Sequence, residues 1–155
     1  MWISSTGQKK ENLGGILMSN KVLVIENPTI EEIETVLDCV SLSHDLRYLV
    51  PKFNGSRAEF LKAGWCYLFY DEETLVPLGY LAFSFSKIKG KPPELLFAMT
   101  QFLKPIQFLT ITRMAMKICS KLGTVCAQMV DDKIIKMAKS LGFNKVKGNW
   151  YGWRR

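Results

Sequence analysis

Met137–Trp153 reads MAKSLGFNKVKGNWYGW, and this stretch decides how the last third of the chain folds. A helix runs into Gly142, a residue free to take the left-handed conformation that closes a helix. Phe143 then turns inward as the chain enters a sheet. FNKVKGNWYGW supplies a last strand or hairpin that carries Trp150, Tyr151 and Trp153. Just upstream, Asp131 or Asp132 is placed to cap the helix, and TVCAQMV before it reads as a buried strand.

The same logic extends toward the N-terminus. Ile106, Leu109, Ile111, Met114, Ala115, Ile118 and Leu122 share one helical face that starts after Pro105 and ends at Gly123. Before it come three strand-like runs, WCYLFYD, LGYLAFSFSKI and ELLFAMTQFL, separated by the turns EETLVP and KGKPP. The first two form a hairpin. Ser56–Ala63 is a short helix stopped by Gly64, and residues 42–55 are broken by Pro51 and Gly55. Asn27-Pro28-Thr29 opens a helix bearing Ile30, Ile33, Val36, Leu37 and Val40, and KVLVIE before it is a strand. The order is β-α-α-β-β-β-α-β-α-β. Residues 1–17 read as a flexible tail and 18–155 as one domain. Codons for Gly14 and Gly15 could spell a ribosome-binding site, which would make Met18 the native start.

The 155 residues are 48% hydrophobic and 23% charged, a globular composition. The four cysteines (Cys39, Cys66, Cys119, Cys126) never form a CxxC pair, which fits buried, reduced thiols of a cytoplasmic protein. His44 is the one histidine and has no ligand pair near it, so no metal site is expected. No apolar run approaches the ~20 residues of a membrane span, and no membrane partner is expected. The net charge of +7 is uneven: residues 1–86 hold 7 Lys+Arg against 11 Asp+Glu, and residues 87–155 hold 14 against 3. The second half therefore carries +11 and the first −4, which suggests that the second half faces a polyanion.

The element order, the hairpin ending in PLGYLAF and the corner AKSLGFNKV together resemble the GNAT (GCN5-related N-acetyltransferase) superfamily, over about Lys21 to Trp153. Acetyltransferase-like proteins of tailed phages, including internal virion proteins, are similar in a looser way. The resemblance implies a single α/β domain: a central mixed, mostly antiparallel sheet flanked by helices. It also implies transfer of acetyl from acetyl-CoA to an amine. In the family, the turn between the fourth strand and the third helix carries R-x-x-G-x-G/A, whose amides hold the cofactor's pyrophosphate at a helix N-terminus. Here the turn is FLKPIQFLTITR, without glycine, and Arg113 lies two turns into the helix. The expected cofactor contacts are the Lys104 charge and the first-turn amides of Ile106, Gln107 and Phe108.

The family's general acid, a tyrosine four residues before the corner glycine, is replaced here by Ala138. Asp131 or Asp132 stands where an asparagine is common, and would repel phosphate. The catalytic assignment is then Glu94 as base, with Tyr80 taken as acid from among Tyr67, Tyr70, Tyr80 and Tyr151. Glu72 and Glu73 read as solvated turn carboxylates, and His44 as a surface residue. Two alternatives stand beside the enzyme. One is a non-catalytic descendant of the fold that binds a protein partner in a phage particle or on a host enzyme. The other is a basic nucleic-acid-binding module using Trp150, Tyr151, Trp153, Arg154 and Arg155. The expected location is the cytoplasm, or the virion for a phage-encoded chain.

Overall fold

The computed structural model describes residues 21–41 and 57–155. The proposed tail, Met18 and His44 lie outside that range. The elements run β1 (Val22–Glu26), α1 (Ile30–Ser41), α2 (Arg57–Ala63), β2 (Trp65–Asp71), β3 (Pro77–Ser84), β4 (Glu94–Met99), α3 (Pro105–Leu122), β5 (Thr124–Gln128), α4 (Asp132–Ser140), β6 (Asn144–Lys147) and β7 (Trp150–Arg154). This is the mixed α/β order read from the sequence, with its last element resolved into a hairpin. Two strands are shorter than their alternation suggests. β3 stops at Ser84, where the chain enters the lysine-rich turn, and β4 stops at Met99. After Met99, Thr100 starts a turn: its carbonyl accepts from Leu103 N at 3.4 Å.

The seven strands form one sheet in the order β1-β2-β3-β4-β5-β7-β6. Every neighbouring pair is antiparallel except β4 and β5. Strand alternation sends side chains to two faces, and each face carries its own core. Leu81, Phe83, Leu95 and Met99 pack with Ile111, Met114 and Ile118 of α3 and Ala138 of α4. Leu68, Tyr80, Ala82 and Leu96 pack under Ile33, Val36 and Val40 of α1 and Leu61 of α2. β3 is buried from Leu78 to Phe83 because both faces cover it. The outermost strand β6 is exposed along its length and carries Lys145 and Lys147, charges that discourage pairing with another chain.

Local chemistry sets the helix ends. Thr29 Oγ1 accepts from Glu32 N at 3.1 Å while Glu32 Oε1 accepts from Thr29 N at 2.8 Å, a reciprocal cap on α1. At the end of α4, Gly142 has φ +104°, donates to Lys139 O at 3.1 Å, and lets Phe143 N reach Ala138 O at 3.0 Å. The Trp153 indole closes the corner from β7, its Nε1 donating to Leu141 O at 3.1 Å. The helix–Gly–Phe corner therefore locks α4 to the last strand. Tyr151 is buried in the same core, so two of the C-terminal aromatics serve packing.

No helix among the described residues is long and apolar enough to cross a membrane. The four cysteines form no disulfide, and no cluster of three or more His, Cys, Asp or Glu is placed to hold a metal among the described residues.

Candidate active site

β4 and β5 meet at a single point. Glu94 pairs with Cys126, and Cys126 N donates to Pro93 O at 2.9 Å. Beyond that point the two parallel strands have no further pairing among the described residues, and the sheet opens. On the other side β4 stays fully paired with β3. Thr100 N donates to Leu78 O at 2.8 Å, and the alternation of an antiparallel ladder then turns the peptide groups of Phe97 toward the gap.

The gap opens beneath an apolar cleft, open on one side, between α3 and α4. Leu95, Phe97 and Met99 of β4 form its floor. Phe108, Ile111 and Met116 make one wall, and Met137 and Ala138 face them from α4. Thr112 is the one lining residue with a hydroxyl. No tyrosine lines the cleft, and Ala138 occupies the wall position where the family resemblance places one.

The cleft leads to the start of α3, where the sequence foresaw an anion site. Lys104 is the N-cap residue, and its backbone N donates to Gln107 Oε1 at 3.0 Å. Phe108 N is already committed to Lys104 O at 2.9 Å, so of the three amides expected to hold the cofactor this one is used by the helix itself. Its ring instead lines the cleft. Ile106 and Gln107 sit at first-turn positions whose amides have no partner within a helix. Lys104 is half-buried beside them.

A polar pair that sequence reading missed holds this helix start. Gln107 is fully buried, and its Nε2 donates to Asp71 Oδ2 at 2.8 Å. Asp71, also buried, accepts at Oδ1 from Glu73 N at 2.9 Å and Thr74 N at 3.0 Å. The local signals were present: an Asp at a strand end before a turn, and a Gln at the third position of a helix. Their meeting across 36 residues was not visible in the sequence.

Glu94 stands at the vertex of the opening, and alternation puts it on the face opposite the cleft, with Leu96 and Ala98. Burial pushes its carboxyl above the ordinary carboxylate range, and the nearby Lys91 ammonium offsets part of that. The adjacent Cys126 thiol is raised by burial first and then by Glu94, with Lys91 opposing. Burial pushes the Cys66 and Cys119 thiols up to about 12, so neither is a ready nucleophile.

Tyr80, assigned above as acid, requires correction. It is 0% exposed in the α1/α2 core, its hydroxyl has no hydrogen-bond partner among the described residues, and burial raises it strongly. It pairs with Ala98 while Glu94 pairs with Ser84. Four positions of strand, roughly 13 Å, separate the two. The fold does not bring them together, and Tyr80 does not line the cleft.

Asp131 is the N-cap of α4, and its Oδ1 accepts from Lys133 N at 2.8 Å and Ile134 N at 3.2 Å. It occupies the amides that an anion would otherwise use there.

No family model and no curated protein sequence matches the chain. Solved structures do. An N-acyl amino acid synthase from uncultured soil microbes superposes with TM-score 0.64 at 15% identity, covering 86% of this chain and 91% of that one. The ribosomal-protein-S5-alanine acetyltransferase of Vibrio fischeri gives 0.59 at 14% identity, covering 86% and 92%. The N-acetylglutamate synthase of Neisseria gonorrhoeae, solved with coenzyme A and N-acetyl-glutamate, gives 0.64 at 9% identity, covering 90% of this chain and 36% of that one. At these identities the likeness is one of architecture: the chain has the fold of the GNAT acetyltransferases.

Proposed function

We propose that the chain transfers an acetyl group from acetyl-CoA to an amine, with the cofactor in the α3/α4 cleft and the amine approaching Glu94 from the other face of the sheet. The observation that carries this reading is the opening between β4 and β5. On one side of the sheet lies an apolar cleft and on the other a half-buried carboxylate, meeting at one vertex. The residues present fit the cofactor in outline. Lys104 and the amides of Ile106 and Gln107 would hold its pyrophosphate, and the Phe97 edge of β4 with Met137 and Met116 would hold its pantetheine arm. The glycine-free turn and the capped α4 make that hold weaker than a glycine cradle.

When bound, coenzyme A supplies the activated thioester. This chain's part is to orient the amine and move its proton. Glu94, as carboxylate, takes one proton from the ammonium nitrogen, leaving a lone pair free to attack. Its raised affinity for protons suits a base working near neutrality. The apolar cleft excludes water that would hydrolyse the thioester.

A second reading, a non-catalytic scaffold for a protein partner, is favoured by Ala138 at the expected position of the acid and by the missing glycines. One titration separates the two. Acetyl-CoA at a hundredfold excess over Kd stabilises the native state by about 2.7 kcal/mol, a melting shift of roughly 5–10 °C. The enzyme reading expects such a shift, lost in Lys104→Glu, and acetyl transfer lost in Glu94→Gln. No shift at millimolar acetyl-CoA supports the scaffold.

A further inference from the structure

The charge of the second half is not spread evenly over the molecule. Pairing registers bring the start of β2, the end of β3, the start of β5 and the end of β7 to one end of the sheet. Lys87, Lys89 and Lys91 are exposed there in the β3–β4 turn. The end of α3 adds exposed Lys117 and Lys121, and β7 delivers exposed Arg154 and Arg155. The described carboxylates at this end are Glu26, the half-buried Glu94, which faces Lys91, and Glu31 and Glu32 in the first turn of α1. Lys62 Nζ donates to Pro28 O at 2.7 Å beside that turn, and its two carboxylates lie toward the α1/α2 face, away from the lysine turn and the end of β7. Glu72, Glu73, Asp131 and Asp132 lie at the opposite end, beside the start of α3. The cationic end therefore points away from the only helix start assigned to a cofactor phosphate, and its charge answers to a different anion.

Apolar groups crown the same end. Trp65 is 43% exposed, Phe85 42% and Ile88 68%. Trp65 and Phe85 stack edge-to-face with centroids 5.0 Å apart, and Trp65 also meets the buried Phe83 at 6.5 Å. The turn is ordered, with Ile88 N donating to Ser86 Oγ at 3.0 Å and Lys91 N to Ile88 O at 3.3 Å. Ile88 therefore projects from a held loop between lysines, with the two aromatics behind it. An aliphatic tip gains nothing from phosphates or bases, whereas hydrocarbon accepts it, and tryptophan favours the headgroup boundary. Lysines around an apolar wedge complement a negative lipid surface.

We propose that the end of the sheet bearing Trp65, Phe85 and Ile88 docks on an anionic membrane surface. The lack of an apolar span does not bear on this, since peripheral docking needs only a shallow wedge and charge.

The test is co-sedimentation of the full chain with phosphatidylcholine vesicles, with and without about 30 mol% phosphatidylglycerol. Binding is expected to the anionic vesicles alone and to weaken with added salt. Ile88→Asp should lower the partition coefficient at least tenfold with an unchanged melting temperature. Lys87→Ala with Lys89→Ala should lower it by roughly 25-fold, at about fivefold per charge. Lys133→Ala with Lys136→Ala, which removes equal charge from α4, should change it little. Three outcomes would overturn the proposal: no binding to either vesicle, an equal loss in the α4 control, or binding to RNA or DNA at the same salt without vesicle binding.

Discussion

Gln107 Nε2 donates to Asp71 Oδ2 at 2.8 Å in a fully buried contact that ties the start of α3 to the β2–β3 turn. The same glutamine accepts from Lys104 N, so one side chain fixes both the helix cap and the strand end. Asp71→Ala removes the acceptor for Gln107 and for two turn amides at once. Leaving buried donors unpaired costs about 1–3 kcal/mol, and the melting temperature should fall accordingly. Gln107→Glu sets two carboxylates together, so its destabilisation should grow with rising pH and ease in acid. Thermal melts of both variants across pH check this, and an Asp71→Ala variant as stable as the parent would show that the contact carries little.

Gly142 makes a similar argument at the other end of the site. A Cβ there would lie 3.1 Å from Trp153 Nε1, and φ of +104° is one that side chains rarely adopt. Gly142→Ala should therefore destabilise by about 1–3 kcal/mol. Trp153→Phe, which loses the indole donor to Leu141 O and part of the ring's packing, should cost about 1 kcal/mol for the hydrogen bond and more for the lost ring. Denaturant melts measure both, and a Gly142→Ala variant as stable as the parent would contradict the backbone origin of its cost.

The corner and the element order were legible because each rests on local chemistry. Gly142 stops a helix by its own backbone freedom, and the apolar period of α3 holds from Ile111 to Ile118. In its first turns Ile106 and Leu109 are exposed instead, and Gln107 is the buried residue because it pairs with Asp71. The site was only partly legible. Lys104 and Gln107 fell at the helix start as expected, and Glu94 opened its strand. Tyr80 failed because strand alternation assigns a face only once the register is known, and register across β3 and β4 is a long-range property. Asp71 was missed for the same reason. Its partner comes from a different element, and the sequence around it shows only a turn.

Glu94 makes a prediction in pH. Burial raises its carboxyl, so the folded state holds that proton more tightly than the unfolded chain does. Its contribution to stability then falls as pH rises from the ordinary carboxylate value through the raised one. Glu94→Gln, which carries no charge to bury, should melt level with the parent near about pH 4 and above it near about pH 8. If acetyl transfer occurs, kcat/KM should show an acid limb set above the ordinary glutamate value. Glu94→Gln should remove that limb and lower the rate by about 10²-fold or more. Opposite signs for stability and activity in one variant would mark a residue kept for chemistry.

Ala138 offers the most direct probe of the cleft. It is 2% exposed, yet it lies on the cleft wall facing α3, so a larger side chain there grows into open space before it meets the core. Ala138→Tyr should therefore cost less than the ~1–3 kcal/mol of ordinary overpacking. A phenol placed in the cleft would meet any thiolate leaving along the β4 floor and supply the proton that no lining tyrosine now offers. Where proton transfer limits the rate, kcat should rise by up to about 10²-fold with a new alkaline limb from the phenol. Ala138→Phe separates chemistry from space: it fills the same volume without a proton. A rise with Tyr and none with Phe places the thiol in this cleft. Equal loss of acetyl-CoA binding in both variants would still place the cofactor there while ruling out the phenol as acid. Unchanged binding and rate in both would mean that the ligand lies elsewhere.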